Sequence, residues 1–553
     1  MDYNKLAELL FPNLELTAED VEKRYPARNL PEGAKVSRVA PSPTGFMHLG
    51  NLFSALVGER LAHQSKGVFF LRIEDTDLKR AVEGGVETII NVFNSFGLNF
   101  DEGAGVNDSD IGEYGPYRQR QRAEIYHVFA KQLVLKGMAY PCFCTEEELA
   151  QMRETQQEQK LNFGYYGEWA KCRNLSLEEI EENIKAGKPY VLRFRSPGNP
   201  ENRIKHTDLV KGEMELPEND QDVVLLKSDG IPTYHFAHVI DDHFMGTTHV
   251  VRGEEWLATL NIHLQLFREL GWKAPKYVHT AQVMKLDNGA KRKLSKRKDP
   301  ESALTFYHAE GYPVKSVLDY LMTLLNSNFE EWRMANPTAP LDDFQFTTKK
   351  MSTSGCLFDM DKLIDVSKNV ISLMSAEEVY EEVLKWSMEN DNELYGLFAA
   401  NPEKAKAILS IGRGGAKPRK DFAIWKEVKD YVAFFYPELY IAAEKEAYPE
   451  NVSKEDCIAI LEGYLASYDA ADDNSQWFDK VRNLGESLGY AGKPKDYKKN
   501  PEQFKGHVGD VSGVIRLAVT GRTNSPDMHA VMQVLGEETM RQRINDALKT
   551  LKA

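Results

Sequence analysis

Between Val36 and Ile73 the chain runs through an apolar stretch, a turn, a helical period and a second apolar stretch, and this order constrains the fold more than any other feature. Residues 36–40 are apolar, Pro41-Ser42-Pro43-Thr44-Gly45 is turn chemistry, and Leu52, Phe53, Leu56, Val57 and Leu61 recur at helical spacing up to Gly67. Residues 68–73 are apolar again. Strand, turn, helix and strand within about 40 residues predict a βαβ unit with a parallel sheet and a right-handed crossover. Open sheets of this kind bind ligands outside the carboxyl ends of their strands, which here means residues 41–48 and 74–77.

The rest of the chain extends this unit. A helix covering Ile125, Phe129 and Leu133 ends at Gly137, and from Cys142 to Tyr190 long apolar runs are few, as expected of an insertion that splits the sheet. Strands are expected again at residues 223–226 and 233–240, then at Val250-Val251, with a helix from Glu254. Beyond about residue 330 helical signals dominate and end on the stripe Met540, Ile544, Leu548 and Leu551. Residues 1–33 read as a short helix (Leu6, Leu9, Leu10, Phe11) followed by Pro26 and Pro31, an appendage ahead of the first strand. The fold class is thus α/β, a split doubly wound parallel sheet with an inserted domain and helical C-terminal domains. At roughly 150 residues per domain, 553 residues suit several cores rather than one.

Composition narrows the function classes. The net charge of −15 argues against a chain-wide nucleic-acid surface, because phosphate contacts need cations. Two local patches run the other way: residues 291–298 hold six cations and no anion, and residues 401–420 hold six cations against Glu403 alone. No stretch approaches the ~20 apolar residues of a membrane helix, no signal peptide is visible, and five cysteines are too few and odd in number for a disulfide framework. A reduced, cytoplasmic setting is the expectation.

Two stations carry chemistry. In Arg38-Val-Ala-Pro-Ser-Pro-Thr-Gly-Phe-Met-His48-Leu-Gly50-Asn51, glycine and imidazole can approach a nucleotide at a helix N-terminus, where free N–H groups and the dipole favour phosphate. In Lys293-Leu294-Ser295-Lys296-Arg297, lysines can neutralise charge that builds on phosphate oxygens during in-line displacement. Alone, the first is more often an ordinary turn with an incidental histidine, and the second a solvated basic loop. Together on one split α/β sheet they are far more specific.

At these residues the sequence resembles the class I aminoacyl-tRNA synthetases, whose two signatures look like His48-x-Gly50-Asn51 and Lys293-Leu-Ser-Lys-Arg297. Arg38-x-Ala-Pro-Ser-Pro-Thr-Gly45, Arg72-Ile-Glu-Asp-Thr-Asp77, Gly115-Pro-Tyr-Arg118-Gln, Tyr234-His-Phe-Ala, Asp241-Asp242-His243, Arg252-Gly-Glu-Glu-Trp256 and Arg516-Leu-Ala-Val-Thr-Gly521 resemble the glutamyl-tRNA synthetases of bacterial type. The resemblance implies a Rossmann-like catalytic domain in two halves (34–137 and 223–285) around an acceptor-end domain (138–222). A lysine-loop and stem-contact region (286–360) and two helical anticodon domains (361–445 and 446–553) would follow, with 1–33 as an N-terminal extension.

It also implies the activity: glutamate and ATP, with Mg²⁺, give glutamyl adenylate and pyrophosphate, and the acyl group passes to the 3′ end of tRNA(Glu), with tRNA bound before activation. Charging of tRNA(Gln) as well is left open, and a monomer is expected. His48, Gly50, Lys293, Ser295 and Lys296 would be catalytic. His48, Gly50, Asn51, Glu255, Trp256, Leu294 and Lys296 would hold ATP, and Arg38, Ala40, Ser42, Glu74, Tyr234, His238 and Arg252 the glutamate. The residue types suit that amino acid, since two carboxylates and an ammonium ask for two guanidiniums and an acid, supplied by Arg38, Arg252 and Glu74. Which arginine meets which carboxylate stays open. Asn51, Leu294 and Arg297 depart from the general signatures while keeping polarity or size, and His238 stands where some relatives have Asn.

Cys142-Phe-Cys144 with Cys172 could hold Zn²⁺, but a closed site wants four ligands, and the family's further ligand position is Asn174 here. Tyr165 is the candidate substitute, and three buried free thiols are the competing reading. His235, His238, His243 and His249 beside Asp241 and Asp242 imitate a metal cluster at irregular spacing, which fits core and hydrogen-bonded roles better. Lys350-Met-Ser-Thr-Ser354 imitates the lysine loop without its second lysine and reads as a stem contact or a turn. Arg413, Lys417, Arg419 and Lys420 form a candidate tRNA patch, with a solvated loop as the alternative; Phe422 and Trp425 after it could stack on bases or pack in a core. A glutaminyl-tRNA synthetase, expected to end in β-barrels, and a catalytically silent tRNA-binding relative are the alternatives. The helical C-terminal half weighs against the first, and intact His48, Glu74, Lys293 and Lys296 against the second.

Overall fold

The computed structural model describes every residue except Gly45, Leu78, Arg80 and Lys296. It divides into two compact units, Met1–Phe306 with Leu318–Asp359, and Tyr307–Val317 with Met360–Ala553. Among the described residues no helix is long and apolar enough to cross a membrane.

In the first unit the expected βαβ is present. Strand β1 (Val36–Val39), helix α1 (Leu49–His63) and strand β2 (Val68–Leu71) form a parallel pair in register from Val36–Val68 to Val39–Leu71. Strand β3 (Glu102–Ala104) continues the sheet in parallel. After the insertion, helix α2 (Tyr234–Phe244) leads into strands β4 (His249–Gly253) and β5 (Lys276–Thr280), a parallel pair that sets Arg252 opposite His279. The two halves meet where the Thr248 amide donates to Val36 O at 2.9 Å. β1 and β2 are buried along their whole length, as in a sheet covered on both faces: β2 is an unbroken apolar run, while β1 buries Ser37 on Gly58 O and Arg38 on Asp242.

The structure departs from the sequence reading at three places. Residues 233–240, expected as a strand, lie largely in α2. Nearly all of α2 is buried, so its short apolar run carried no polar face to distinguish helix from strand. Residues 1–33 hold two helices, Tyr3–Leu10 and Ala18–Arg24, rather than an appendage with one. Leu6, Ala7, Leu10, Val21 and Tyr25 pack in one core with Ile125, Phe129, Leu133 and Phe244, and Arg28 forks onto Glu102 with both contacts at 2.8 Å. Strand Val224–Leu226, read with the second half of the catalytic sheet, pairs antiparallel with Val191–Phe194, which pairs with Ala139–Cys142. A separate ribbon, Arg203–Asp208 against Gly212–Pro217, completes the insertion.

The second unit is helical as expected. Its two apolar cores centre on Val379, Phe398 and Trp425, and on Ile460, Val514 and Ile544. The stripe Met540, Ile544 and Leu548 is the buried face of helix Glu537–Lys552.

Candidate active site

A cleft of about 470 Å³ opens at the carboxyl ends of β1, β4 and β5. It is lined by Arg38, Ala40, Ser42, Glu74, Tyr234 and Arg252, and equally by His48, Gly50, Asn51, Glu255, Trp256, Lys293 and Leu294. Residues read from the sequence as two substrate sites thus share one cavity. Ser295 is not among its lining residues, and Lys296 lies outside the described residues.

The nucleotide side is built by the start of α1. His48 stands ahead of its first turn, and its amide donates to Asn51 Oδ1 at 3.0 Å, which explains an asparagine at that position. A Cβ on Gly50 would lie 3.1 Å from His48 Nδ1, so glycine leaves the imidazole room over the helix terminus. The lysine segment reaches the same place by two backbone links: His48 bridges Ala303, and the Leu304 amide donates to Met47 O at 3.2 Å. Lys293 ends the hairpin Val283–Asp287/Ala290–Lys293. Its neighbour Arg292 does not face a ligand but is clamped by Asp299 (2.6 and 2.9 Å) and Asp287 (2.6 Å), fixing the loop.

The amino-acid side rests on a buried charge network. Asp242 receives both Arg38 (3.0 and 3.3 Å) and Arg72 (2.8 Å). Burial alone would raise the Asp242 carboxyl, but Arg38 and Arg72 hold it well below the usual carboxylate range. Arg72 also reaches Glu74 at 3.2 Å; here burial wins and pushes the Glu74 carboxyl up against the pull of Arg72 and Arg38. Asp241, one residue before Asp242, takes Arg122 (2.7 Å), Gln119 (2.9 Å) and Tyr126 (2.9 Å) behind the site.

Arg252 is different. It is 6% exposed, and its hydrogen bonds go to neutral groups: Nε to His279 (3.0 Å), Nη1 to Tyr234 Oη (3.3 Å) and His263 Nδ1 (3.1 Å), and Nη2 to Trp256 O (3.5 Å). Among the described residues no carboxylate pairs with it. A buried guanidinium without a carboxylate is costly unless a ligand supplies one. His263 also contacts His235 at 3.0 Å; burial holds the His235 imidazole down to about 4 and the His263 imidazole well below its usual value, so both are neutral and leave the arginine as the local charge.

His238 does not line the cleft. It is fully buried beneath Tyr234, with Nδ1 2.6 Å from Asp242 and Nε2 3.0 Å from Tyr277 Oη, and burial lowers its imidazole to about 3. The four histidines of the apparent metal cluster diverge, His243 stacking on Trp272 at 3.9 Å and His249 meeting Thr248 Oγ1 at 2.8 Å. Asp208, His263 and His279, which complete the wall behind Arg252, escaped the sequence reading because they come from a ribbon strand, a helix and a sheet strand that only the tertiary fold brings together.

In the insertion, Cys142, Cys144 and Cys172 place their sulfurs within 4.8 Å of one another. Cys144 and Cys172 are 3.6 Å apart, close to the roughly 3.8 Å edge of a tetrahedron with Zn–S bonds of about 2.3 Å. Tyr165 Oη lies 3.4 Å from Cys142 Sγ and 3.3 Å from Cys144 Sγ, whereas Asn174 turns to Arg195. Tyr165 Oη thus stands against two of the three sulfurs, where the spacing had left a fourth position open, and it also accepts the Cys172 amide at 3.0 Å.

In the second unit, Arg413 donates to Leu409, Ile371 and Met374 carbonyls, and Arg419 pairs with Asp421. Lys417 and Lys420 are exposed. Phe422 and Trp425 are each 2% exposed and belong to the core, so they do not offer a stacking surface.

Residues 35–364 match the family model for the catalytic domain of class I tRNA synthetases (E and Q), and residues 495–548 match an anticodon binding domain. The chain is 55% identical over 551 residues to a glutamate–tRNA ligase of Acetivibrio thermocellus, covering 99% of this chain and 100% of that one. It is 51% identical to the enzyme of Clostridium beijerinckii, with the same coverage. A crystal structure of a glutamate tRNA ligase from Elizabethkingia meningosepticum in complex with its amino acid superposes with a TM-score of 0.75 at 28% identity, over 94% of this chain and 99% of that one. The chain belongs to the glutamate–tRNA ligases, a family of class I aminoacyl-tRNA synthetases.

Proposed function

We propose that the cleft binds free glutamate between Arg252, Arg38 and Glu74 beside an ATP held at the start of α1, and that activation takes place there. The observation that carries this reading is Arg252, a buried guanidinium surrounded by neutral groups in the same cavity as His48 and Lys293. Arg252 takes one substrate carboxylate. Arg38 offers the N–H groups that Asp242 leaves free to the other, and Glu74 takes the ammonium. The α-carboxylate oxygen attacks the α-phosphorus of ATP, the bond to the bridging oxygen breaks, and pyrophosphate leaves with its Mg²⁺. No side-chain nucleophile is required. The protein's contribution is positioning, together with cationic and N–H groups around the phosphates: Lys293, Lys296 from the sequence motif, and the first turn of α1. A hydroxyl of the terminal ribose of tRNA then attacks the glutamyl carbonyl, the bond to the adenylate phosphate oxygen breaks, and AMP leaves as the hydroxyl proton is lost.

Activation that waits for tRNA, and a tRNA contact through exposed Lys417 and Lys420, belong to the same proposal. So does a structural Zn²⁺ held by Cys142, Cys144, Tyr165 and Cys172, which would fix the loop after strand Ala139–Cys142. The testing experiment varies glutamate in tRNA-supported pyrophosphate exchange. Arg252→Ala is expected to raise the glutamate KM about 100-fold, the loss of a buried charge-assisted pair, with the ATP KM little changed. A variant that saturates with glutamate as the wild type does would remove Arg252 from the pocket.

A further inference from the structure

Arg252 is anchored from behind by a two-residue relay. On the parallel pair β4–β5 it lies opposite His279, and its Nε–H donates to His279 Nε2 at 3.0 Å. That nitrogen accepts only if the ring proton sits on Nδ1, and Nδ1 meets Asp208 Oδ2 at 2.7 Å. Asp208 is 1% exposed and His279 fully buried, so water replaces neither contact.

Asp208 closes the first strand of the insertion's ribbon, Arg203–Asp208. Its Oδ1 accepts from the amides of Val210 (2.9 Å) and Lys211 (2.8 Å), and its Oδ2 from the His279 amide (3.2 Å) as well as the ring. Four N–H donors therefore converge on this side chain, two at each oxygen. Only an ionised carboxylate satisfies all four, since a carboxamide turned either way points its NH₂ at donors. The same turn is fastened to the cleft wall: the Leu209 amide donates to Tyr277 O at 3.0 Å, and Lys211 pairs with Glu254, which accepts the Gln282 amide at 3.1 Å.

We propose that Asp208 is a positioning residue for glutamate binding: through His279 it fixes the tautomer that holds Arg252 Nε, placing the root of the inserted ribbon in control of the guanidinium that takes a substrate carboxylate. The relay keeps the compensating negative charge one imidazole away, so Arg252 is oriented without being neutralised by direct contact. This rests on the assignment of Arg252 to the glutamate pocket.

The test varies glutamate and ATP separately in tRNA-supported pyrophosphate exchange by the full chain. Asp208→Asn and His279→Phe are expected to raise the glutamate KM about tenfold, the loss of roughly one oriented hydrogen bond to a charged group, with kcat and the ATP KM within about threefold of wild type. His279→Gln presents a donor to Asp208 and an acceptor to Arg252, and is expected to stay near wild type. Should Asp208→Asn not fold, the two His279 variants decide the matter. An unchanged glutamate KM in folded Asp208→Asn, equal impairment of His279→Gln and His279→Phe, or a loss that falls equally on ATP and kcat would each overturn the relay. Arg252→Lys separates the two readings: if it leaves the glutamate KM unchanged, the pocket assignment fails; if it raises that KM while the Asp208 and His279 variants do not, the relay alone fails.

Discussion

His48 pairs with Ala303 through an antiparallel backbone bridge, so a motif that opens the first helix and a segment just beyond the lysine loop share one wall of the cleft. The bridge ties the base of the lysine segment to the residue that precedes α1, and the Leu304 amide repeats the link on Met47 O at 3.2 Å.

Lys293 lines the cleft, and in the proposed reaction it acts where phosphate charge develops. Lys293→Ala is expected to lower adenylate formation about 100-fold while leaving glutamate affinity nearly unchanged, the loss typical of removing one preorganised charge stabiliser. Lys296→Ala is expected to behave alike. Single-turnover rates together with glutamate binding check this; normal rates would assign the charge stabilisation elsewhere.

Burial raises the Glu74 carboxyl above its usual value, so it takes up a proton at a higher pH than an exposed glutamate does. As pH falls through that raised value the negative charge disappears and the substrate ammonium loses its partner. The glutamate KM should therefore climb as the pH falls through that raised value, at a higher pH than the substrate's own carboxylate, which titrates near about 4.3. Glu74→Gln should bind glutamate weakly throughout and show a flat profile over the same range. A wild-type KM independent of pH there would contradict the assignment.

The four groups Cys142, Cys144, Tyr165 and Cys172 predict one zinc per chain in protein purified without chelator. Cys172→Ser should lose the metal and lower the thermal midpoint of the first unit, and Tyr165→Phe should weaken retention against a chelator. Metal analysis and a thiol titration give the answer; wild-type protein without zinc, with three rapidly reactive thiols, would mean a cluster of free cysteines.

The Arg38–Asp242–Arg72 arrangement shows why some of the site was legible and some was not. Arg38, Glu74 and Arg252 stood out because each belongs to a motif of the resemblance and lies within three residues of the carboxyl end of a parallel strand, where open sheets bind ligands. Tyr234 was found by resemblance although its segment was misread, since motif identity does not depend on whether the backbone is helix or strand. His238 was placed with the substrate by resemblance, at a position where some relatives have Asn. One helical turn instead carries it behind Tyr234, against Asp242 and Tyr277. Arg413 and Phe422 belonged to a patch suited to RNA until packing drew the guanidinium onto main-chain carbonyls and the ring into a core.

The sequence by itself determined the βαβ opening, the helical C-terminal half and the two signature segments, because periodicity, turn residues and short motifs are local properties of the chain. Tertiary structure decided that the two segments line one cleft, that Tyr165 joins the three thiols, and that Asp208 stands behind His279 and Arg252. Each of these depends on how strands, helices and loops far apart in the chain pack together, and the identity of neighbours along a sequence does not encode such a distance.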